Sequence, residues 1–187
     1  MLPKGNGVVQ AMDLKARVDE LLAAPKSILG DPVWRVGQRP ETREMRRILL
    51  ESGEVRGALL VSLAFPGTAQ HEYRHMIVFT PEDGRRADGQ CVCRLDFAPT
   101  IDGPHVNDFN GPLGYPACEI PDPHYHDWAG NRQLTKVKEL PPKLLYARHI
   151  GSRINDIDDG FWWFCQQNQI GASTRDVPGW PPPERLL

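Results

Sequence analysis

Between residues 98 and 123 the chain carries prolines at 99, 104, 112, 116, 121 and 123 and glycines at 103, 111 and 114. Proline fixes φ and removes a backbone donor, so neither a long helix nor a central strand can run through this segment. A loop of that length inside a compact domain is uncommon, and is either functional or disordered. Phe109, Leu113, Tyr115 and Ile120 give it apolar side chains to bury, so an ordered loop is expected. The surrounding stretch, residues 94–132, also holds His105, His124 and His126, three of the chain's six histidines. Whatever the rest of the chain builds must carry this segment.

The flanking sequence reads as α+β. Met12, Leu14, Val18, Leu21 and Leu22 recur at mostly helical spacing before Pro25, which predicts an N-terminal helix over residues 12–24. Ile28 to Pro32 reads as a breaker, and residues 33–36 as a short strand. Residues 42–50 fit both a helix and an alternating strand. The Ser52-Gly53 turn signal and the β-rich run from Val55 to Ala64 decide for a hairpin. Turn signals at Pro66-Gly67 and Pro81 to Gly84 separate further strands at residues 73–80 and 91–97. The expectation is an antiparallel β-meander of about five to six strands, residues 33–97, packed by an N-terminal and a C-terminal helix.

Beyond the loop, residues 124–128 return to the sheet, residues 134–138 read as one more short strand, and residues 144–150 as a short strand or a turn of helix. Ile154, Ile157, Phe161, Phe164 and Cys165 recur at three and four, with Asn155 as N-cap and Asp156, Asp158 and Asp159 in the first turn. This predicts the C-terminal helix, residues 155–170. Gly160 inside it implies a later start or a close packing contact. Residues 177–187 are proline-rich and predict an extended tail. No repeat is present, so residues 1–187 are read as one domain, with the histidine-containing loop and strand at 98–132.

Composition narrows the function classes. No window approaches the ~18 apolar residues of a membrane span, and the first residues lack the apolar core of a secretory signal, so a cytoplasmic protein is expected. The net charge of −2 argues against broad phosphate contact, although Arg35, Arg39, Arg43, Arg46 and Arg47 crowd one segment and Lys136, Lys138 and Lys143 another. The cysteines (91, 93, 118 and 165) form no C-x-x-C pair and read as buried, reduced thiols, with Cys91 and Cys93 on one face of a strand. His71 and His75 read as surface or edge residues, and His149 stands alone. Nucleophile-elbow, P-loop, dinucleotide-binding and zinc-protease motifs are missing.

Chemistry therefore rests on the histidines. In an extended segment His124 and His126 share one face. With His105, Cys118, Asp127 or Glu119 they match the donor set of a zinc site. A second reading needs no cofactor: two of the three histidines act as general base and general acid on an RNA phosphodiester attacked by its own 2′-hydroxyl. Arg94 or Arg132 then stabilises the phosphorane-like charge, while Asn107, Tyr125 and Trp128 contact the substrate, the aromatic pair by stacking a base.

The order Arg94-Leu95-Asp96-Phe97, Gly103-Pro104-His105-x-Asn107, His124-x-His126 and a closing helix ending in Phe164-Cys165 resembles a bacterial and prophage small-protein family of unknown function. It is more loosely similar to toxins of toxin–antitoxin modules. The resemblance covers about residues 43–170. The chain departs from it in its N-terminal helix, its longer loop and the His-Tyr-His-Asp-Trp run. The resemblance implies a mobile-element or defence-associated protein, an RNA-directed toxin with an antitoxin-like or assembly partner. The alternatives are a non-enzymatic protein-interaction module and a metal-stabilised fold without catalysis.

Overall fold

The structure is a computed structural model and describes residues 13–37, 42–51, 54–64, 72–80, 89–97, 104–135, 139–151 and 153–179. Helix α1 (Leu14–Ala23) begins where Asp13 caps Lys15 N and buries Val18 and Leu21. Its last carbonyls are held by Lys26 Nζ, 2.7 Å from Leu21 O and 2.5 Å from Ala24 O. Strand β1 (Lys26–Leu29) follows at once, and β2 (Arg35–Val36) continues it along the same edge of β3 (Thr42–Glu51). Strands β4 (Glu54–Ala64), β5 (Glu72–Phe79) and β6 (Gln90–Phe97) complete the expected antiparallel meander.

The sheet is larger than five to six strands. Strand β9 (His124–His126) pairs with β6, and β10 (Arg148–His149) with β9. At the other edge β11 (Ile170–Gly171) lies parallel to β1. The nine-stranded sheet thus runs β10-β9-β6-β5-β4-β3-β1-β11, with β2 also on β3. A second sheet pairs β7 (His105–Val106) with β8 (Glu119–Ile120) inside the proline-rich loop. The added strands are two to four residues long. The sequence offers β9 as a return to the sheet at 124–128 and β10 as one option at 144–150; β1, β7, β8 and β11 arise from pairing between distant segments that no local period announces. Helix α2 (Trp128–Asn131) and a 3-10 turn (Arg132–Leu134) replace the start of the strand expected at 134–138; residues 136–138 lie outside the described residues.

One face of the sheet carries the core. Helix α3 (Ile157–Gln167), capped by Asp156 rather than Asn155, lays Phe161 and Phe164 on it, both fully buried. Each contributes roughly 1.5–3 kcal/mol by leaving water. Gly160 lies inside the helix because of close packing: a Cβ there would sit 3.2 Å from His75 Cε1. His75 is therefore no surface or edge residue. It is fully buried between Phe161 and Phe164, with neither ring nitrogen hydrogen-bonded among the described residues, and burial pushes its pKa down to about 3. His71 lies outside the described residues.

A bulge between Ile77 and Val78 breaks the alternation of β6. Cys93 consequently faces the core while Cys91 lines a cleft on the opposite face, so the two do not share a face. All four thiols are free, but Cys118 is exposed. The start of the C-terminal tail lies on its own domain, with Trp34 Nε1 donating to Pro178 O at 3.2 Å; residues 180–187 lie outside the described residues. No helix among the described residues is long and apolar enough to cross a membrane.

Candidate metal centre

Register places the site. Arg94 pairs with His126 and Asp96 with His124 across β6 and β9, and the two-residue repeat turns all four side chains to the outer face, away from α3. The intervening Tyr125 points the other way, into the core. His105 reaches the same spot from above, because the β7–β8 hairpin folds over that end of the outer face. The three imidazoles meet with ring centroids 4.6–5.3 Å apart. One ligand nitrogen of each lies within 4.8 Å of the other two.

Asn107 fixes the hairpin in place. It is buried, donates to Pro116 O at 3.1 Å and Ala147 O at 3.0 Å, and accepts from Ala147 N and from His105 Nε2, each at 3.0 Å. His105 Nε2 also lies 3.0 Å from Leu145 O. Both neighbours are acceptors, so Nε2 carries the hydrogen and Nδ1 keeps a free lone pair. The same reasoning applies twice more. His126 Nδ1 donates to Tyr146 O at 3.1 Å, and His124 Nδ1 to Asp122 Oδ1 at 2.8 Å. Each histidine is anchored through one nitrogen by an acceptor outside the trio, the arrangement by which proteins orient metal-binding imidazoles, and His124 and His126 turn the other nitrogen toward Asp96.

Asp96 supplies the negative charge. Its Oδ2 is 3.2 Å from His126 Nε2 and 3.4 Å from His124 Nε2, and Arg94 Nε approaches it at 2.7 Å. Ligand atoms around a tetrahedral zinc with bonds of about 2.0–2.1 Å stand about 3.3 Å apart; Asp96 Oδ2 has that spacing to both imidazoles, and the three histidine nitrogens lie within 4.8 Å of one another. Arg94 also donates to His126 Nε2 at 2.9 Å, and Arg74 Nε lies 3.2 Å from Asp96 Oδ1. Burial works against the ionised Asp96, but His124, His126 and Arg94 outweigh it and hold the carboxyl well below its ordinary value. Burial alone would lower His124, yet its bonds to Asp122 and Asp96 carry it above the ordinary histidine value. Burial brings His126 down to about 4, and burial also lowers His105.

Of the three histidines, His105 lines a cleft of about 490 Å3 whose walls also include Arg94, Phe109, Lys143 and Tyr146, while His124 and His126 lie buried behind it. Several residues expected at the site stand elsewhere. Tyr125 is buried under α3 and donates to Asn168 Oδ1 at 2.9 Å; Trp128 is buried and donates to Asp19 at 2.7 Å, so neither ring is free to stack a base. Arg132 is engaged by Asp19 through two nitrogens. Asp127 caps α2 and binds Tyr115 and Arg148. Cys118 and Glu119 are exposed on the hairpin, and Cys118 O accepts from Asn107 N. Asp96 and Asp122 were not singled out in the sequence, although Asp96 follows Arg94 at the interval that keeps both on one strand face. No family model, curated protein or solved structure matches the chain.

Proposed function

We propose that His105, His124 and His126 hold a zinc-like transition metal beside Asp96, and that the centre hydrolyses phosphodiesters. The observation that carries this reading is the tethering of each histidine within one cluster: one nitrogen is spent on a carbonyl, amide or carboxylate acceptor, and a ligand nitrogen of each lies within 4.8 Å of the other two. Three protein ligands leave a coordination position for water, and half-exposed His105 puts that position at the cleft. A metal lowers the pKa of its water into the neutral range and supplies a hydroxide nucleophile. A hydroxide so supplied would form the new bond to phosphorus as the P–O bond to the departing alkoxide breaks, the water's proton passing to solvent at the cleft and the alkoxide taking a proton from solvent. Arg94 and Lys143 line the cleft and offer cationic groups to the charge that builds on the phosphoryl oxygens.

Chelator-treated protein titrated with zinc should take up one ion per chain. It should then cleave bis(p-nitrophenyl) phosphate in a metal-dependent way. Absence of uptake at micromolar zinc rejects the reading.

A second reading has its own support. His124 is shifted up while His105 and His126 are shifted down, so an acid and two neutral bases stand side by side without a metal. His124 as the acid with either neutral histidine as the base would cleave RNA through its 2′-hydroxyl, consistent with an RNA-directed toxin. Cleavage of RNA, but not of DNA, that persists in excess chelator selects it.

A further inference from the structure

Outside the histidine cluster, no helix among the described residues packs on the remaining outer face of the main sheet. A groove of about 660 Å3 crosses it, and four arginines stand along the groove on different strands: Arg35 on β2, Arg46 on β3, Arg74 on β5 and Arg94 on β6. Strands lie ~4.8 Å apart, so this row spans roughly 19 Å across the sheet. Among the described residues, Glu44 is the one acidic residue on the groove wall. Arg74 is paired with Glu72 and Asp96, and Arg94 with Asp96, whereas Arg35 and Arg46 are exposed and make no ion pair among the described residues. Arg35 and Arg46 thus leave the groove positive although the chain's net charge is −2. Arg94 belongs to both hollows: the groove reaches it from one side and the cleft beside His105 leaves it on the other.

We infer that this groove and cleft form one continuous track for single-stranded nucleic acid, with the histidine centre cutting inside the strand. The inference rests on the phosphodiester reading and names its substrate. Three features point to a single strand. Arginine forks bind phosphates and also stack on bases, which lysine does not do as well. Apolar side chains lie between the arginines: Ile48 is 40% exposed and Val36 65% exposed, surfaces on which unpaired bases can rest. Phe109 stands 52% exposed on the wall of the cleft, a ring on which a base beyond Arg94 can stack. A duplex buries its base faces and gains nothing from these last two. The scissile phosphate sits at Arg94, with strand running on in both directions, so no free end is required.

Binding and cutting are measured separately on the full chain. Without metal, in chelator, fluorescence anisotropy is followed for labelled 12-mers of oligo(U) and oligo(dT) and for a 12-base-pair duplex. The single strands should bind more tightly than the duplex. Replacing both Arg35 and Arg46 with Ala should lower the slope of log K against log salt by about 1.4, two phosphate contacts on a single strand. Phe109→Ala should weaken binding by about 5- to 100-fold. Zinc content should not change in either variant. With zinc restored, a circular single strand should be linearised. Duplex bound as tightly as single strand, or an unchanged salt slope in the Arg35/Arg46 variant, overturns the inference. If the small diester is hydrolysed but no strand binds, the track is wrong and the centre stands. If strands bind with the expected slope but no metal is taken up, the track stands and the metal centre falls.

Discussion

Replacing Asn107 with Ala tests how the hairpin is locked over the histidines. The side chain is 1% exposed and makes four hydrogen bonds. Two of its partners, the N–H and C=O of Ala147, belong to a residue with no exposure. Truncation strands both, at about 1–3 kcal/mol each. It also removes one of the two acceptors that fix His105 Nε2. A loss of about 2–6 kcal/mol is expected, which at about 2–4 °C per kcal/mol for a domain of this size lowers Tm by roughly 4–24 °C. Loss of an outer-shell partner further predicts a 10- to 100-fold weaker zinc affinity. Asn107→Asp separates the two effects, since its carboxylate still accepts from Ala147 N and His105 but faces two carbonyls without a donor. It should destabilise the fold while retaining more zinc affinity than the Ala variant. Thermal melting and competitive zinc titration read both quantities. An Ala variant that melts within about 1 °C of the parent and binds zinc equally well would refute the clamp.

His124 makes metal uptake pH-dependent. With its pKa raised above the ordinary histidine value it keeps its second proton to higher pH than a free imidazole, so below that pKa binding must release the Nε2 proton and affinity should fall about tenfold per pH unit; a flat profile between pH 5.5 and 8 would contradict this. Arg94→Met removes a guanidinium that contacts both His126 Nε2 and Asp96, so zinc affinity should rise several-fold while turnover of the diester falls, and a joint loss of both would count against Arg94 as a competing cation. His75 has a folded pKa of about 3 against about 6.5 unfolded, so the unfolded chain binds the extra proton and stability drains as pH falls across that window, by on the order of 5 kcal/mol in all. His75→Leu, close in volume, should flatten the fall in Tm between pH 7 and 4.5; an unchanged slope in acid melts would show that His75 is not the sensitive group.

The meander and both long helices could be read from the sequence because each rests on a local pattern. Residues 42–51 are an instance: their own spacing is ambiguous, and the turn that follows decides them. Lys26 to Leu29 shows the opposite case. It looks like the end of a helix and a breaker, and becomes a strand only because β3 and β11 flank it. The bulge at Ile77 is equally silent, and it changes which of Cys91 and Cys93 faces the core. At the site, the face shared by His124 and His126 followed from alternation alone. Their meeting with His105 depended on a loop path that no period encodes. Asp96 required the β6–β9 register, and Tyr125 was assigned to substrate although alternation already put it opposite its two histidine neighbours. His75 is the same kind of miss: an even-spaced strand position gives a face, and only the packing of α3 says which face is buried.

Zinc stoichiometry in the parent and in His126→Ala tests the central claim most directly. His126 is fully buried and anchored to Tyr146 O, so the variant is checked by circular dichroism and melting before its metal is counted. The account expects one zinc per chain in the parent, after loading and gel filtration, and less than a tenth of that in a folded His126→Ala. A parent that emerges without zinc, or a folded variant that keeps its full complement, would contradict it.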